Sequence, residues 1–183
     1  MNRRQFLYGT AAVTMPILSS GCDRDRPAVS IDDSYPVGRF GATSTAEEVT
    51  LGLDLTGKTA MVTGCNSGLG LETMRVLALR GAHVIGTGRT LEKASKACSS
   101  VSGKTTPVAL ELSSLQSVIE CADTIARLDI PIDILVCNAG INTFGELVEL
   151  VNGVEKTFVV NYLGHFVLAV SYTHLTLPTI LLV

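Results

Sequence analysis

The chain has 183 residues, 46% of them apolar and 17% charged, with a formal net charge of −3 at neutral pH. That length holds roughly one domain of about 130 to 150 residues once the N-terminus is set aside; the basic residues neither cluster nor interleave with aromatics, which excludes nucleic acid as the expected partner. Residues 1–21 carry Arg3 and Arg4 and no acids, so the remainder holds 12 basic against 17 acidic side chains, a mildly acidic balance of −5.

Asn2-Arg3-Arg4-Gln5-Phe6-Leu7 precedes an apolar stretch from Tyr8 to Leu18, and residues 1–22 read as targeting rather than fold. The stretch is shorter than the about 20 residues of a spanning helix and is interrupted by Pro16. It resembles a bacterial twin-arginine export signal, a route for proteins already folded, and implies the periplasm or cell envelope. Leu18-Ser19-Ser20-Gly21-Cys22 resembles a lipoprotein box, although Ser19 stands where the large apolar residue usually does, so a lipid anchor on Cys22 and a plain cleaved signal both stay open. Residues 23–41, rich in Asp, Arg, Pro and Ser and without periodicity, read as a linker. Five cysteines form an odd set with no metal-ligand spacing, so no metal site is expected, and folding before export favours buried thiols over disulfides.

Ser44-Thr45-Ala46-Glu47 has the form of a capping box opening a short helix through Val49. A strand is expected over Thr59–Thr63, then a helix over Leu69–Leu79 facing inward with Met74, Leu77 and Ala78 and stopped by Gly81. His83–Gly86 reads as a second strand. Thr90 can cap a helix carrying Leu91, Ala94 and Cys98, and Pro107–Leu112 reads as a third strand. Ser113-Ser114-Leu115-Gln116 is a second capping box, followed by Leu115, Val118, Ile119, Ala122 and Ile125 at helical spacing. Ile132–Val136 is the fourth strand. Strands alternating with helices imply an α/β fold, a Rossmann-type doubly wound parallel sheet of about four strands, with ligands at the strands' carboxyl ends. The fourth strand would form an exposed edge, a source of aggregation or marginal stability.

Between the first strand and its helix lies Thr63-Gly64-Cys65-Asn66-Ser67-Gly68-Leu69-Gly70, the strand-to-helix context of a dinucleotide-binding turn. Gly64, Gly68 and Gly70 suit a sharp bend, close approach of a pyrophosphate, and tight helix–strand packing. The phosphates would sit on the free N–H groups and positive end of the helix beginning near Gly68.

This turn, Asn138-Ala139-Gly140 after the fourth strand, and Asn161-Tyr162-Leu163-Gly164 occur in the order and spacing of the short-chain dehydrogenase/reductase family, which the chain resembles from about Phe40 to Val170. Phe40-Gly41, Ser44 to Glu48 and Val160 to Phe166 are similar to the branch with retinol-dehydrogenase-like and WW-domain-oxidoreductase-like members. The resemblance implies that Asn138 braces the fourth strand against the glycine turn, that Ala139 and Gly140 leave room for a ribose, and that Asn161 is the catalytic asparagine holding a helix kink and a water on a proton relay. Cys137 departs from the family's usual asparagine and is expected as a small buried thiol. Glu111, with Leu112 beside it, stands where an aspartate usually lies near adenine; surface support of a helix cap is the alternative role for Glu111.

An acidic residue ending the second strand would accept from the 2′-hydroxyl of NAD. Gly88 and then Arg89 stand there, and arginine pairs with a 2′-phosphate, so NADP is expected, with a solvated Arg89 and mixed use of NAD as the alternative. The family's serine, tyrosine and lysine are not identifiable: Tyr172 is followed four residues on by Thr176, and Tyr162 by Phe166. Over residues 171–183 the β-branched residues and Pro178 speak against a continuing helix. That segment resembles a translated sequencing-adapter tail, or is a short terminal strand. The expectation is thus a signal, a linker and an incomplete NAD(P)-binding domain over residues 42–170. The function expected of the full gene product is NADP-dependent oxidoreduction of a small carbonyl or alcohol, this chain being inactive by itself; a noncatalytic nucleotide-binding or scaffold protein is the alternative.

Overall fold

The computed structural model describes residues 38–142 and 148–176. The expected signal with Cys22, the linker up to residue 37 and the tail from residue 177 lie outside the described residues. Four strands, β1 (Thr59–Val62), β2 (His83–Gly88), β3 (Thr105–Ala109) and β4 (Ile134–Val136), form one parallel sheet in the order β3-β2-β1-β4. Ala60 pairs with Val84 on one side and Ile134 on the other. The helices between them are α1 (Ala46–Val49), α2 (Gly68–Leu79), α3 (Leu91–Ser99) and α4 (Leu115–Arg127).

Every residue of β1 and β2 is buried, which requires cover on both faces of the sheet. Alternation along β1 divides the core accordingly. Ala60 and Val62 join Val84, Met74, Ala78, Ala97 and Cys98 on the side of α2 and α3, while Met61 joins Ile85, Val108, Val118, Cys121, Ala122 and Ile125 on the side of α4. From β1 the chain moves outward to β2 and β3, then returns to place β4 on the other flank. This reversal of strand order opens a crevice at the carboxyl ends of β1 and β4.

Several local expectations are corrected. The first capping box slides one residue: Thr45 Oγ1 accepts from Glu48 N–H at 3.2 Å and Glu48 Oε2 from Thr45 N–H at 2.8 Å. Glu47 instead pairs with Arg75 on α2 at 2.7 Å. The second box is no box, because Ser113 is taken by Glu111; Ser114 caps α4 by accepting from Ser117 N–H, and Gln116 reaches Glu120. β1 stops at Val62, β2 runs on to Gly88, β3 is shifted to Thr105–Ala109 and β4 is shortened to Ile134–Val136. Pro107 is tolerated within β3 because that strand is at the sheet's edge, where a missing N–H breaks no ladder. On α4 the inward face is Val118, Cys121, Ala122 and Ile125, whereas Leu115 and Ile119 are 40% and 44% exposed. On α3 Ala97 is buried and Leu91 is exposed; on α2 Val76 is buried with Met74 and Ala78, and Leu77 only packs against that cluster.

Beyond Asn142 a hairpin of β5 (Leu150–Val151) and β6 (Val154–Glu155) was not expected. Its signal is Asn152-Gly153, both at positive φ (51° and 81°), the pairing that two-residue hairpin turns demand. There follow α5 (Lys156–Phe158), a π-helical turn over Val159–Leu163 and α6 (Gly164–Thr176). The helix therefore runs past Val170 to Thr176, contrary to the expected break after Val170: β-branched residues each cost only a fraction of a kcal/mol in a helix.

Replacing Ile125 with alanine is expected to lower the unfolding free energy by about 2–4 kcal/mol, while Ile119→Ala changes it by less than about 1 kcal/mol. Denaturant titration of both variants checks this, and equal losses would contradict the inward face of α4.

Candidate functional site

The chain leaves β1 at Thr63, whose side chain is wholly buried. Its hydroxyl oxygen accepts the N–H groups of Asn138 and Ala139, each at 2.9 Å. Asn138 in turn donates from Nδ2 to the carbonyls of Thr63 at 2.9 Å and Gly64 at 3.4 Å. The end of β1 and the segment after β4 are thus bonded in both directions. Gly64 has φ of 72°, and a Cβ there would lie 2.9 Å from Cβ of Ala139; a Cβ on Gly70 would run into the Gly64 carbonyl and the Asn138 amide. Glycine is required at both, at the first for conformation and at the second for contact.

The turn is also tied sideways to β2. Gly64 N–H donates to Thr87 Oγ1 at 3.3 Å and Cys65 N–H to the Thr87 carbonyl at 2.7 Å. The N–H groups left over are those of the first turn of α2, which begins with Gly68 at φ 59°. Thr45, Thr90 and Ser114 each cap their helices with a side chain, but Ser67, the residue before α2, makes no such bond. An uncapped helix start concentrates donors and the positive end of the dipole at one point.

That point borders a cavity of about 680 Å³. Gly64, Asn66, Ser67, Leu69 and Gly70 form one wall, Thr87, Gly88 and Arg89 the end of β2, Leu110 to Ser113 the segment after β3, and Asn138 to Asn142 the far side. Thr63 lies buried beneath, and Gly68 shapes the turn without lining the cavity. Arg89 is exposed on the wall and makes no ion pair among the described residues. Glu111 also lines it, but its Oε1 accepts from Ser113 N–H and Oγ at 3.1 and 2.8 Å, so at least half of the carboxylate serves the start of α4. Leu112 is buried there.

Asn161 stands in the π-helical turn, exposed, one residue from the wall-lining Val160. Its side-chain amide pairs with Ile141 twice, Oδ1 accepting from the N–H and Nδ2 donating to the carbonyl, both at 2.8 Å. The segment Asn138 to Ile141 is therefore gripped at one end by Thr63 and at the other by Asn161. Sequence reasoning missed Thr87, the wall-lining pair Glu149 and Lys156 at 2.7 Å, which flank the hairpin, and a role for His165. Cys137 is exposed, not buried as expected, because β4 lies at the edge of the described sheet. Cys65, Cys98 and Cys121 are buried, and burial pushes the thiols of Cys65 and Cys121 up to about 12, which leaves them inert at neutral pH.

Glycines that admit close approach, an uncapped helix start, a cation at the end of β2 and a cavity this large fit a dinucleotide: diphosphate at the start of α2 and a ribose near Arg89. No group of His, Cys, Asp and Glu that could hold a metal occurs among the described residues.

Residues 58–177 match the family model described as short chain dehydrogenase. The chain is 43% identical over 153 residues to a WW domain-containing oxidoreductase of Pongo abelii, covering 78% of this chain and 36% of that protein. It is 37% identical over 134 residues to the chloroplastic short-chain dehydrogenase TIC 32 A of Brassica napus, covering 70% and 42%. It thus spans well under half the length of these relatives. Its fold is similar to a metagenomic short-chain oxidoreductase solved in complex with NADP, with a TM-score of 0.59 and 26% identity over 66% of this chain and 57% of that one.

Thr63→Val would strand the half-buried N–H groups of Asn138 and Ala139 and is expected to cost about 1–3 kcal/mol of stability, with Thr63→Ser costing clearly less; denaturant midpoints of the two variants test it. Acid should act through histidine. Burial lowers the pKa of His165 and of His83, the latter also through Lys104. The folded state thus resists a proton that the unfolded chain accepts near pH 6.5, and their stabilising contribution is complete above about 6.5 and lost as pH falls below it. Unfolding free energies measured between pH 7.5 and 5 should decline on the acid side, and a flat profile would contradict two buried neutral imidazoles.

Proposed function

Because the chain belongs to the short chain dehydrogenase family, we propose that its described part is the nucleotide-binding half of an NADP-dependent oxidoreductase acting on a small carbonyl or alcohol. The observation that carries this reading is the glycine turn, locked to Asn138 on one side and Thr87 on the other, with the uncapped start of α2 and the exposed Arg89 on the wall of one cavity. When bound, the nicotinamide would give hydride to a carbonyl or take it from an alcohol. The residues present bind and orient. The turn's amides receive the diphosphate, Arg89 the 2′-phosphate, and Ala139 and Gly140 leave room for a ribose. NADP in the solved relative agrees with the arginine.

Asn161 is the residue of this stretch that we assign to the catalytic relay, through the π turn it occupies and its hold on Ile141. No tyrosine of the sequence is followed four residues on by lysine, so the pair that would hold and transfer the substrate's proton is not among these residues. Residues 1–183 by themselves are accordingly proposed to bind nucleotide without turning over substrate. Steady carbonyl reduction by the purified chain would overturn that part of the reading.

Calorimetric titration tests the cofactor. Binding of NADP tighter than NAD is expected, and Arg89→Ala should weaken NADP by about tenfold or more while changing NAD less than about twofold, since a charged hydrogen bond to phosphate is at stake. Equal losses would instead favour a solvated Arg89 and mixed cofactor use.

A further inference from the structure

His165 is 6% exposed and lies behind the cavity, between the two ends of the site. Its Nε2 is 2.9 Å from Thr63 Oγ1 and its Nδ1 is 3.4 Å from the Asn161 carbonyl oxygen. A threonine hydroxyl has one hydrogen to give and two lone pairs to fill. Both lone pairs of Thr63 are taken by the N–H groups of Asn138 and Ala139. Its hydrogen must therefore be donated, and His165 Nε2 at 2.9 Å is the nearer acceptor, the Val136 carbonyl standing at 3.4 Å. An Nε2 that accepts carries no proton, so the imidazole is neutral with its hydrogen on Nδ1, where the Asn161 carbonyl can receive it. An imidazolium would aim a second N–H at an oxygen with no lone pair left.

We propose that His165 is a positioning residue, a neutral imidazole that takes the Thr63 hydroxyl hydrogen at Nε2 and gives its Nδ1 hydrogen to the Asn161 carbonyl, fixing the glycine turn against Asn161. The bonds then close a ring. Thr63 holds Asn138 and Ala139, Ile141 is held by the Asn161 amide, and His165 joins Asn161 back to Thr63. Without it, the two grips on the segment Asn138 to Ile141 would be set independently, and the ribose side of the cavity would lose its common reference. The effect on nucleotide affinity rests on the nucleotide-binding reading above; the protonation state of the ring does not.

The test uses the full chain labelled with 15N-histidine. Long-range proton–nitrogen correlation at pH 7, with His83→Gln and His174→Gln to assign the signals, is expected to show His165 as the neutral Nδ1–H tautomer. Thr63→Val should move it to the Nε2–H form. His165→Phe fills the space without an acceptor and is expected to weaken NADP binding about tenfold, whereas His165→Gln, whose amide oxygen can accept from Thr63, should stay within about threefold of the unaltered chain. An Nε2–H tautomer or an imidazolium in the unaltered chain overturns the proposal, as does unchanged NADP affinity in His165→Phe. If the unaltered chain binds neither NADP nor NAD, the nucleotide-binding reading falls and the tautomer alone decides His165; if His165→Phe does not fold, the tautomer in the unaltered chain and the affinity of His165→Gln decide it.

Discussion

The hydroxyl of Thr63 holds three parts of the chain together at one buried oxygen. It ends β1, accepts both N–H groups that open the segment after β4, and meets the ring of His165 on α6. In a region shielded from water each of these groups must find a partner inside the protein, because an unsatisfied buried donor costs as much as several ordinary hydrogen bonds contribute. The crevice that strand order opens between β1 and β4 is therefore closed at its base by hydrogen bonds rather than by apolar packing. Such bonds have direction, and direction is what a cofactor site needs.

Around this point the fold uses ordinary means. Small and branched side chains fill both faces of a parallel sheet, and helices on both sides cover it. Three helices are capped by threonine or serine. The helix that begins at the glycine turn is the exception, its N-terminal residue Ser67 giving no side-chain bond. A stability rule is relaxed where a ligand can supply the missing partner, a pattern expected of functional positions. Close packing of Gly70 on Gly64 and Asn138 serves the same end, since it brings α2 near enough to β1 for its first turn to reach the cavity.

The π turn has a comparable logic. A widened helical turn at Val159–Leu163 sets Asn161 where its amide can pair with the backbone of Ile141 while Val160 stays on the cavity wall. Such bulges recur at functional sites because they turn a side chain aside without ending the helix. Glu111 shows the opposite outcome. It stands on the wall, yet one oxygen of its carboxylate is held by Ser113 at the start of α4.

Much of the site was legible in the sequence, because glycine spacing, alternation of apolar runs and cap residues before helices such as Thr90 before α3 are local consequences of backbone sterics and hydrogen-bond supply. The four strands and the glycine turn could be read that way, and Arg89 from its place after β2; Asn138 came through the family resemblance. Errors were of one residue at caps, as with Ser44 against Thr45, or of face, as with Ile119 against Cys121, where several positions satisfy the local rule and packing chooses among them. Asn152-Gly153 carried a readable hairpin signal that went unused. The engagement of Glu111 by Ser113, two residues on, is local and was one of the two roles expected of it, but nothing local distinguishes Thr87 or His165. These depend on which groups meet across 23 or 102 residues of chain, and hydrogen-bond partners at that separation are decided only when the sheet and its helices have packed.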